Sequence, residues 1–337
     1  MARIADIVHM VLKDLPMDCK VLIGRFLEKP KYVKACSGGS YVAFLRNDGQ
    51  AVIEWAVDAP WPSELRWSVP ELPTGVTYVN LCVSFDHMVL LQSDGQAVMV
   101  GAGLRHDMVW RPNLPNVSYV GGAASYDHCG VLLRDDGRAD FYDAETCCRL
   151  PNLPRGVRYV SAASDADEPV LLRSDGKVLF CGRAGAGAHV AVLPDLPSGV
   201  QYTSMSIGRN FMLFLRSDGG VETVGSRGQR LDRLCSDLPH GFRYEAIAAG
   251  WTHVALLRND GEIDTAGMYE RRHPLFPWLS WVEPVDMPSL PTGLTYVSVD
   301  AMGPMTVAVR SDGEVIFDGK LNYRPPPSLR GLRLLKH

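Results

Sequence analysis

Residues 244–263 read Tyr244-Glu-Ala-Ile-Ala-Ala-Gly-Trp-Thr-His253-Val-Ala-Leu-Leu-Arg258-Asn-Asp-Gly261-Glu-Ile263. One apolar run opens at an aromatic, a second ends in Asp-Gly, and a third begins behind it. Asp-Gly between alternating apolar runs is a strong hairpin signal, because glycine accepts a positive φ without steric cost. The signal recurs seven times, as Arg46-Asn-Asp-Gly49, Gln92-Ser-Asp-Gly95, Arg134-Asp-Asp-Gly137, Arg173-Ser-Asp-Gly176, Arg216-Ser-Asp-Gly219, Arg258-Asn-Asp-Gly261 and Arg310-Ser-Asp-Gly313. The Gly-to-Gly intervals are 46, 42, 39, 43, 42 and 52 residues. Ahead of each hairpin stands an aromatic: Tyr32, Tyr78, Tyr119, Tyr159, Tyr202, Tyr244 and Tyr296. The Tyr-to-Gly interval is 17 residues in six copies and 18 in the third. So constant an interval predicts a rigid two-stranded unit, with a third strand after the turn and the variable spacing left to outer strands and loops.

Working outward, Leu-Pro-x-Gly precedes the tyrosine at Leu72, Leu153, Leu196, Leu238 and Leu290, while the copy at Leu114-Pro115 lacks the glycine. Proline has no N–H for a ladder, so this element marks the crossing from one outer edge to the next inner strand. Four residues after each tyrosine stand Cys36, Cys82, Ala123, Ala163, Ser206, Ala248 and Asp300, of which six are small. Small side chains suit strands crowded around an axis. No helical pattern alternates with the strands. Three or four short strands repeated seven times predict an all-β fold, a seven-bladed β-propeller.

The ends differ from the repeats. Ile4, Ile7, Val8, Val11, Leu12 and Leu15 follow helical spacing, so a short N-terminal helix over residues 2–14 is expected, stopped near Pro16. Ser328-Leu-Arg-Gly-Leu-Arg-Leu-Leu335 resembles an eighth copy of the strand that opens at tyrosine. The surplus copy is expected to help shut the ring by pairing with N-terminal material. The domain expectation is therefore a helix and lead-in over 1–27 and a propeller over 28–337, closed by the C-terminal strand.

Composition narrows the function. The chain has 337 residues, is 46% hydrophobic and carries a net charge of -4. Nucleic-acid binding draws affinity from Lys and Arg on phosphates, so no nucleic-acid partner is expected. No apolar run reaches 18 residues, so no membrane span is expected. The eight cysteines form no C-x-x-C pair and the N-terminus carries early acids, so reduced thiols and an intracellular protein are expected, cytoplasmic by default with an organelle left open. Phosphate-loop, metalloprotease, nucleophile-elbow and dinucleotide motifs are absent, so no catalytic residue and no cofactor is assigned.

Three groups of residues remain. Arg46, Arg134, Arg173, Arg216, Arg258 and Arg310 precede the turns and fall on one face beside the turn aspartates, either as local ion pairs or as a charged rim for a partner. The longest interval holds Met268-Tyr-Glu-Arg-Arg-His-Pro-Leu-Phe-Pro-Trp-Leu-Ser-Trp-Val282, and its Tyr269, Phe276, Trp278 and Trp281 are candidate partner contacts. Trp55, Trp61 and Trp67 form a weaker candidate. His87, His128 and His253 are placed at one repeat position and read as structural histidines. Equivalent positions on neighbouring blades lie too far apart for one ion, whose bonds to histidine are about 2.0–2.1 Å.

The run His253 to Gly261, preceded by Ala-Ala-Gly-Trp, resembles the RCC1 repeat, closest to the divergent RCC1-like (HERC2-like) arrays of unicellular algae and protists. The resemblance covers about residues 30–335 and implies a seven-bladed propeller. The founding member is a guanine-nucleotide exchange factor, but its loop signature survives here only as Gly225-Ser-Arg-Gly-Gln-Arg-Leu231. Plant ultraviolet-B receptors of this fold use repeated Gly-Trp-Arg-His motifs, whereas Gly250-Trp-Thr-His253 occurs once. The leading expectation is a non-catalytic protein–protein interaction scaffold, an accessory subunit of a larger complex being one form of it. The alternatives are exchange on a small GTPase, and an enzyme or small-ligand binder using the central channel.

Overall fold

The computed structural model describes residues 30–38, 41–55, 66–102, 104, 107–112, 115–125, 128–142, 147–150, 152–164, 169–181, 189–225, 238, 241–272, 280–285, 287–303, 305–319 and 333–334. The chain divides into two units, Met1–Lys31 and Tyr32–His337. The helix expected over 2–14 lies outside the described residues. The second unit is an all-β, seven-bladed β-propeller. Blade 1 holds β1 (Tyr32–Ser37), β2 (Tyr41–Arg46) and β3 (Ala51–Trp55). Blade 2 holds β4 (Tyr78–Val83), β5 (His87–Gln92), β6 (Ala97–Gly101) and β7 (Met108–Trp110). Blade 3 holds β8 (Tyr119–Ser125), β9 (Cys129–Arg134), β10 (Ala139–Tyr142) and β11 (Cys147–Arg149). Blade 4 holds β12 (Tyr159–Ser164), β13 (Pro169–Arg173), β14 (Lys177–Phe180) and β15 (His189–Val192). Blade 5 holds β16 (Tyr202–Gly208), β17 (Phe211–Arg216) and β18 (Val221–Gly225). Blade 6 holds β19 (Tyr244–Ala249), β20 (His253–Arg258), β21 (Ile263–Arg272) and β22 (Ser280–Pro284). Blade 7 holds β23 (Tyr296–Met302), β24 (Met305–Arg310), β25 (Val315–Gly319) and β26 (Arg333–Leu334).

Every residue of the repeated turn has a task. The turn glycines sit at φ 75 to 88. In five blades the glycine carbonyl accepts the N–H of the next blade's opening tyrosine, at 2.8 to 3.1 Å, so the turn also joins neighbours. That closeness leaves no room for a side chain. A Cβ on Gly219 would lie 2.2 Å from Arg243 Cβ, and one on Gly261 2.3 Å from Thr295 Cβ. The residue two before the glycine fastens the hairpin to its own first strand: Ser93 Oγ accepts Thr77 N–H at 3.0 Å, and Asn259 Oδ1 accepts Arg243 N–H at 3.2 Å. The turn aspartate accepts the N–H two residues on, as Asp48 does from Gln50 at 3.1 Å. Local hydrogen bonding of this kind explains why Ser, Asn and Asp recur.

The opening tyrosine is buried in six blades, and in five of these its hydroxyl has a partner among the described residues. Tyr78, Tyr202 and Tyr296 donate to the carbonyls of Pro70, Pro194 and Pro288, and Tyr119 and Tyr244 to Asp140 and Asp264. A β-bulge follows the tyrosine in all seven blades. In the copy of this element that precedes the third blade, Asn116 takes the glycine's left-handed role at φ 61. Asparagine tolerates that region better than most residues.

The first strands of neighbouring blades contact one another around the ring, and β1 packs against β23 and β24 to complete it. Apolar clusters fill the spaces between blades. Ala35, Val42 and Phe44 of blade 1, for example, pack against Val307, Val309 and Phe317 of blade 7. At this joint the Asp300 carboxylate accepts Ser37 N–H at 3.0 Å. Ser206 makes the same staple to Ala249 N–H at 2.9 Å. Burial pushes the Asp300 carboxyl above its ordinary range, against the opposing effects of the Ser37 N–H and the Lys34 charge. The C-terminal strand does not pair with N-terminal residues among those described. β26 instead runs parallel to β25, with Ile316 opposite Arg333. Seven complete first strands already close the circle, so the surplus copy adds an outer edge.

Candidate functional site

The six turn arginines are engaged locally. Each reaches the aspartate two residues on: Asp48, Asp136, Asp175, Asp218, Asp260 and Asp312. Several also donate through Nε, at 3.0 Å for Arg173, Arg216 and Arg310. A second acid on the third strand holds some of them, Glu222 for Arg216 at 2.9 Å and Asp264 for Arg258 at 3.2 Å. These contacts hold the Arg216 guanidinium above its usual range and the Asp218, Asp260 and Asp312 carboxyls below theirs. Arg134 is nearly buried, between Asp136 and Asp140. Their first task is to brace the turn. The Arg258 guanidinium also covers the Phe242 ring, 4.6 Å from its centroid.

The aromatic insertion builds a hairpin. β21 pairs with β20 over Ile263–Gly267 and with β22 over Met268–Arg272. In blade 4, by contrast, β14 is flanked over the same residues by β13 and β15. The blade 6 hairpin therefore begins where the pairing with β20 stops, and it runs on past the end of that strand. Gly267, at φ 104, is the pivot. Tyr269 stands opposite Glu283 and Trp281 opposite Arg271, while Phe276 and Trp278 lie outside the described residues. At the same end of the blade Trp251 is 52% exposed. Sequence reasoning did not single out Trp251 as an exposed aromatic, although Gly250-Trp251 is the single Gly-Trp in the chain. Trp55 and Trp67 pack against Tyr41 and meet each other edge-to-face in the side of blade 1, with Trp55 and Trp67 centroids 4.5 Å apart, and Trp61 lies outside the described residues.

The strand ends opposite the turns hold a polar cluster between blades 2 and 3. Asp86 Oδ1 accepts from Ser84 Oγ at 2.7 Å and lies 2.8 Å from His87 Nδ1. Ser84 Oγ is also 2.8 Å from His87 Nδ1, and His87 Nε2 meets the Tyr142 hydroxyl at 3.1 Å. A serine–histidine–acid relay needs the serine and the acid on opposite ring nitrogens. Here both address Nδ1, and Ser84 is buried, so the group is not a hydrolytic triad. Burial by itself would raise the Asp86 carboxyl, but His87, the Ser84 hydroxyl and His128 together bring it down to about 2, and burial lowers His87.

His128 comes to this cluster by a shift in register. Spacing placed it at the repeat position of His87, but β9 starts at Cys129 where β5 starts at His87. Cys129 is the true counterpart. The third copy carries one residue more between its first two strands, and His128 absorbs it in the left-handed region, at φ 55. A three-residue hairpin loop commonly ends in that conformation, usually with glycine. The imidazole is thereby thrown toward the neighbouring blade, and the His87 and His128 ring centroids are 5.5 Å apart. The expectation that these two histidines lie too far apart fails for this reason. His253 is remote from them, buried in blade 6, with Nε2 2.9 Å from Thr306 Oγ1. Burial lowers its pKa to about 4.

No family model matches the chain, and no curated protein matches it. Solved structures do. Human WBSCR16 is 17% identical over 82% of this chain and 85% of its own, with a TM-score of 0.57. Yeast RCC1 (Prp20) bound to Kap60 is 17% identical over 72% and 70%, with a TM-score of 0.53. The CRINKLY WD40 ectodomain of the Arabidopsis thaliana receptor kinase ACR4 is 13% identical over 89% and 99%, with a TM-score of 0.55. At such identities the likeness establishes the β-propeller fold alone.

Proposed function

We propose that the propeller is a non-catalytic platform for protein partners, an accessory part of a larger assembly. The blade 6 hairpin carries this reading. It outruns the blade it belongs to, its sequence holds Tyr269, Phe276, Trp278 and Trp281, and exposed Trp251 stands at its end of the blade. Aromatic side chains outside a core are the commonest anchors of protein interfaces. The net charge of -4 favours a protein over a nucleic acid as partner. Locally paired arginines add a polar rim at the other strand ends. The test is purification of the tagged protein from its own cells, with Trp251→Ala and Trp278→Ala plus Trp281→Ala beside it. Stoichiometric partners should be retained by the parent and lost from the variants at unchanged melting temperature. Equal recovery from parent and variants would remove the hairpin from the reading.

A second reading is nucleotide exchange on a small GTPase, favoured by the RCC1-like repeat at His253 to Gly261. Yeast Prp20 has been characterised for binding to Gsp1p and histones. Accelerated release of bound nucleotide from a GTPase of the same cells would support this second reading over the first.

A further inference from the structure

We propose that Asp86, His87 and His128 form a binding site for a divalent transition ion of the zinc, cobalt or nickel kind, between blades 2 and 3. One ligand atom from each of the three residues falls in a group whose members all lie within 4.8 Å of one another. Imidazole nitrogens with one carboxylate oxygen suit these ions, which bind such donors at about 2.0–2.2 Å.

Three features beyond proximity support the site. His128 Nδ1 is buried and has no hydrogen-bond partner among the described residues. Asp86 Oδ2 is 3.9 Å away, too far for a hydrogen bond. Two donors on one tetrahedral ion stand about 3.4 Å apart, so a small side-chain rotation brings this pair onto a shared ion. Next, His128 holds a left-handed conformation, at φ 55, where the loop would be served best by glycine. Backbone strain of this kind clusters at ligand-binding positions. Last, Gly101 leaves the space open. A Cβ there would lie 3.2 Å from His128 Nδ1 and 2.6 Å from His87 Cβ.

The surrounding groups suit the role. Asp86 Oδ1 meets Ser84 and His87, and Asp86 Oδ2 lies 3.9 Å from His128 Nδ1. On binding, His87 Nδ1 exchanges its contact with Asp86 for the ion, and its proton resides on Nε2. The Tyr142 hydroxyl, 3.1 Å from Nε2, serves either tautomer, because a hydroxyl both donates and accepts. Oriented partners of this kind tune ligating histidines. His128 is 21% exposed in its side chain, so the ion has a way in and water completes its coordination.

The test is titration of the purified protein with Co²⁺, followed by its visible absorption, and with Zn²⁺, followed by calorimetry. The parent should take up one ion per chain saturably. His128→Gly relieves the loop and keeps the fold while removing a donor, so it should weaken binding at least tenfold. Asp86→Asn should do the same, and His253→Gln should bind as the parent does. Equal affinity in the parent and His128→Gly, or uptake without saturation at one equivalent, would overturn the proposal.

Discussion

The two ends of the blade strands are built on opposite plans. At the turn end four positions recur with little change, Gln92 replacing arginine in one copy and Asp135 replacing serine or asparagine in another, and most copies use them alike. Arginine grips aspartate, serine or asparagine takes an N–H from the first strand, and glycine both turns the chain and accepts from the next blade. At the loop end the residue that starts the second strand is Tyr41, His87, Cys129, Pro169, Phe211, His253 or Met305, and one copy has an extra residue. Seven neighbours must meet in register at the turn end, so deviation there costs stability in two blades at once. The loop end is joined between blades by contacts that differ from copy to copy, such as Asp300 with Ser37, Ser206 with Ala249 and Trp251 N–H with the Gly303 carbonyl, and it is there that exposed Trp251, the projecting hairpin and the His87–His128 pair are found. Uniformity marks the scaffold, and departures from it mark the surface free to specialise.

The contrast is sharpest at the glycines. Gly219 combines φ 86 with a neighbour 2.2 Å from any added Cβ, whereas Gly176, at φ 75, has no atom within 4 Å of that position. Gly219→Ala is expected to lower stability by about 4 kcal/mol and Gly176→Ala by about 1, since strain and overpacking add in the first and only strain acts in the second. Urea midpoints measure both, and equal losses would mean that the joint between blades is not what selects glycine.

The pH dependence of stability probes the loop end. His253 is buried with its pKa lowered to about 4, while in the unfolded chain it takes a proton near the ordinary value of about 6.5. The unfolded state therefore binds the extra proton in that window, and stability is lost as pH falls from about 6.5 to about 4. The loss approaches about 3 kcal/mol. His253→Gln should flatten this slope in urea melts taken between those pH values. An identical slope in parent and variant would show that other groups govern acid sensitivity.

The smallest expected effect has the opposite sign. In metal-free buffer His128→Gly should raise stability by up to about 1 kcal/mol, because glycine holds φ 55 without the penalty of a Cβ. A destabilised variant would show that the imidazole itself supports the blade contact, and would dissolve the distinction between a conserving turn end and a specialising loop end.

Much of this was legible in the amino-acid order. The tyrosine-to-glycine interval announced seven equivalent sheets because a turn and two paired strands allow almost no variation in length. The turn arginines were legible as a set, and their pairing with aspartate two residues on was one of two readings. The interval of 18 in the third copy was also visible, but its consequence was not. Counting from the tyrosine put His128 beside His87 in the repeat, and counting from the glycine gives that place to Cys129.

What the chain order determined by itself is the blade: strand lengths, turn type and the number of copies follow from local stereochemistry and a period that hydrogen bonding enforces. What only the tertiary structure decided is which residues of different blades meet. The closing contact of Asp300 with Ser37, the parallel seat of Arg333–Leu334 beside β25 and the approach of His128 to Asp86 join residues far apart in the chain or thrown sideways by one left-handed loop residue. Such contacts depend on where the ring brings each blade edge, a geometry that local spacing does not encode.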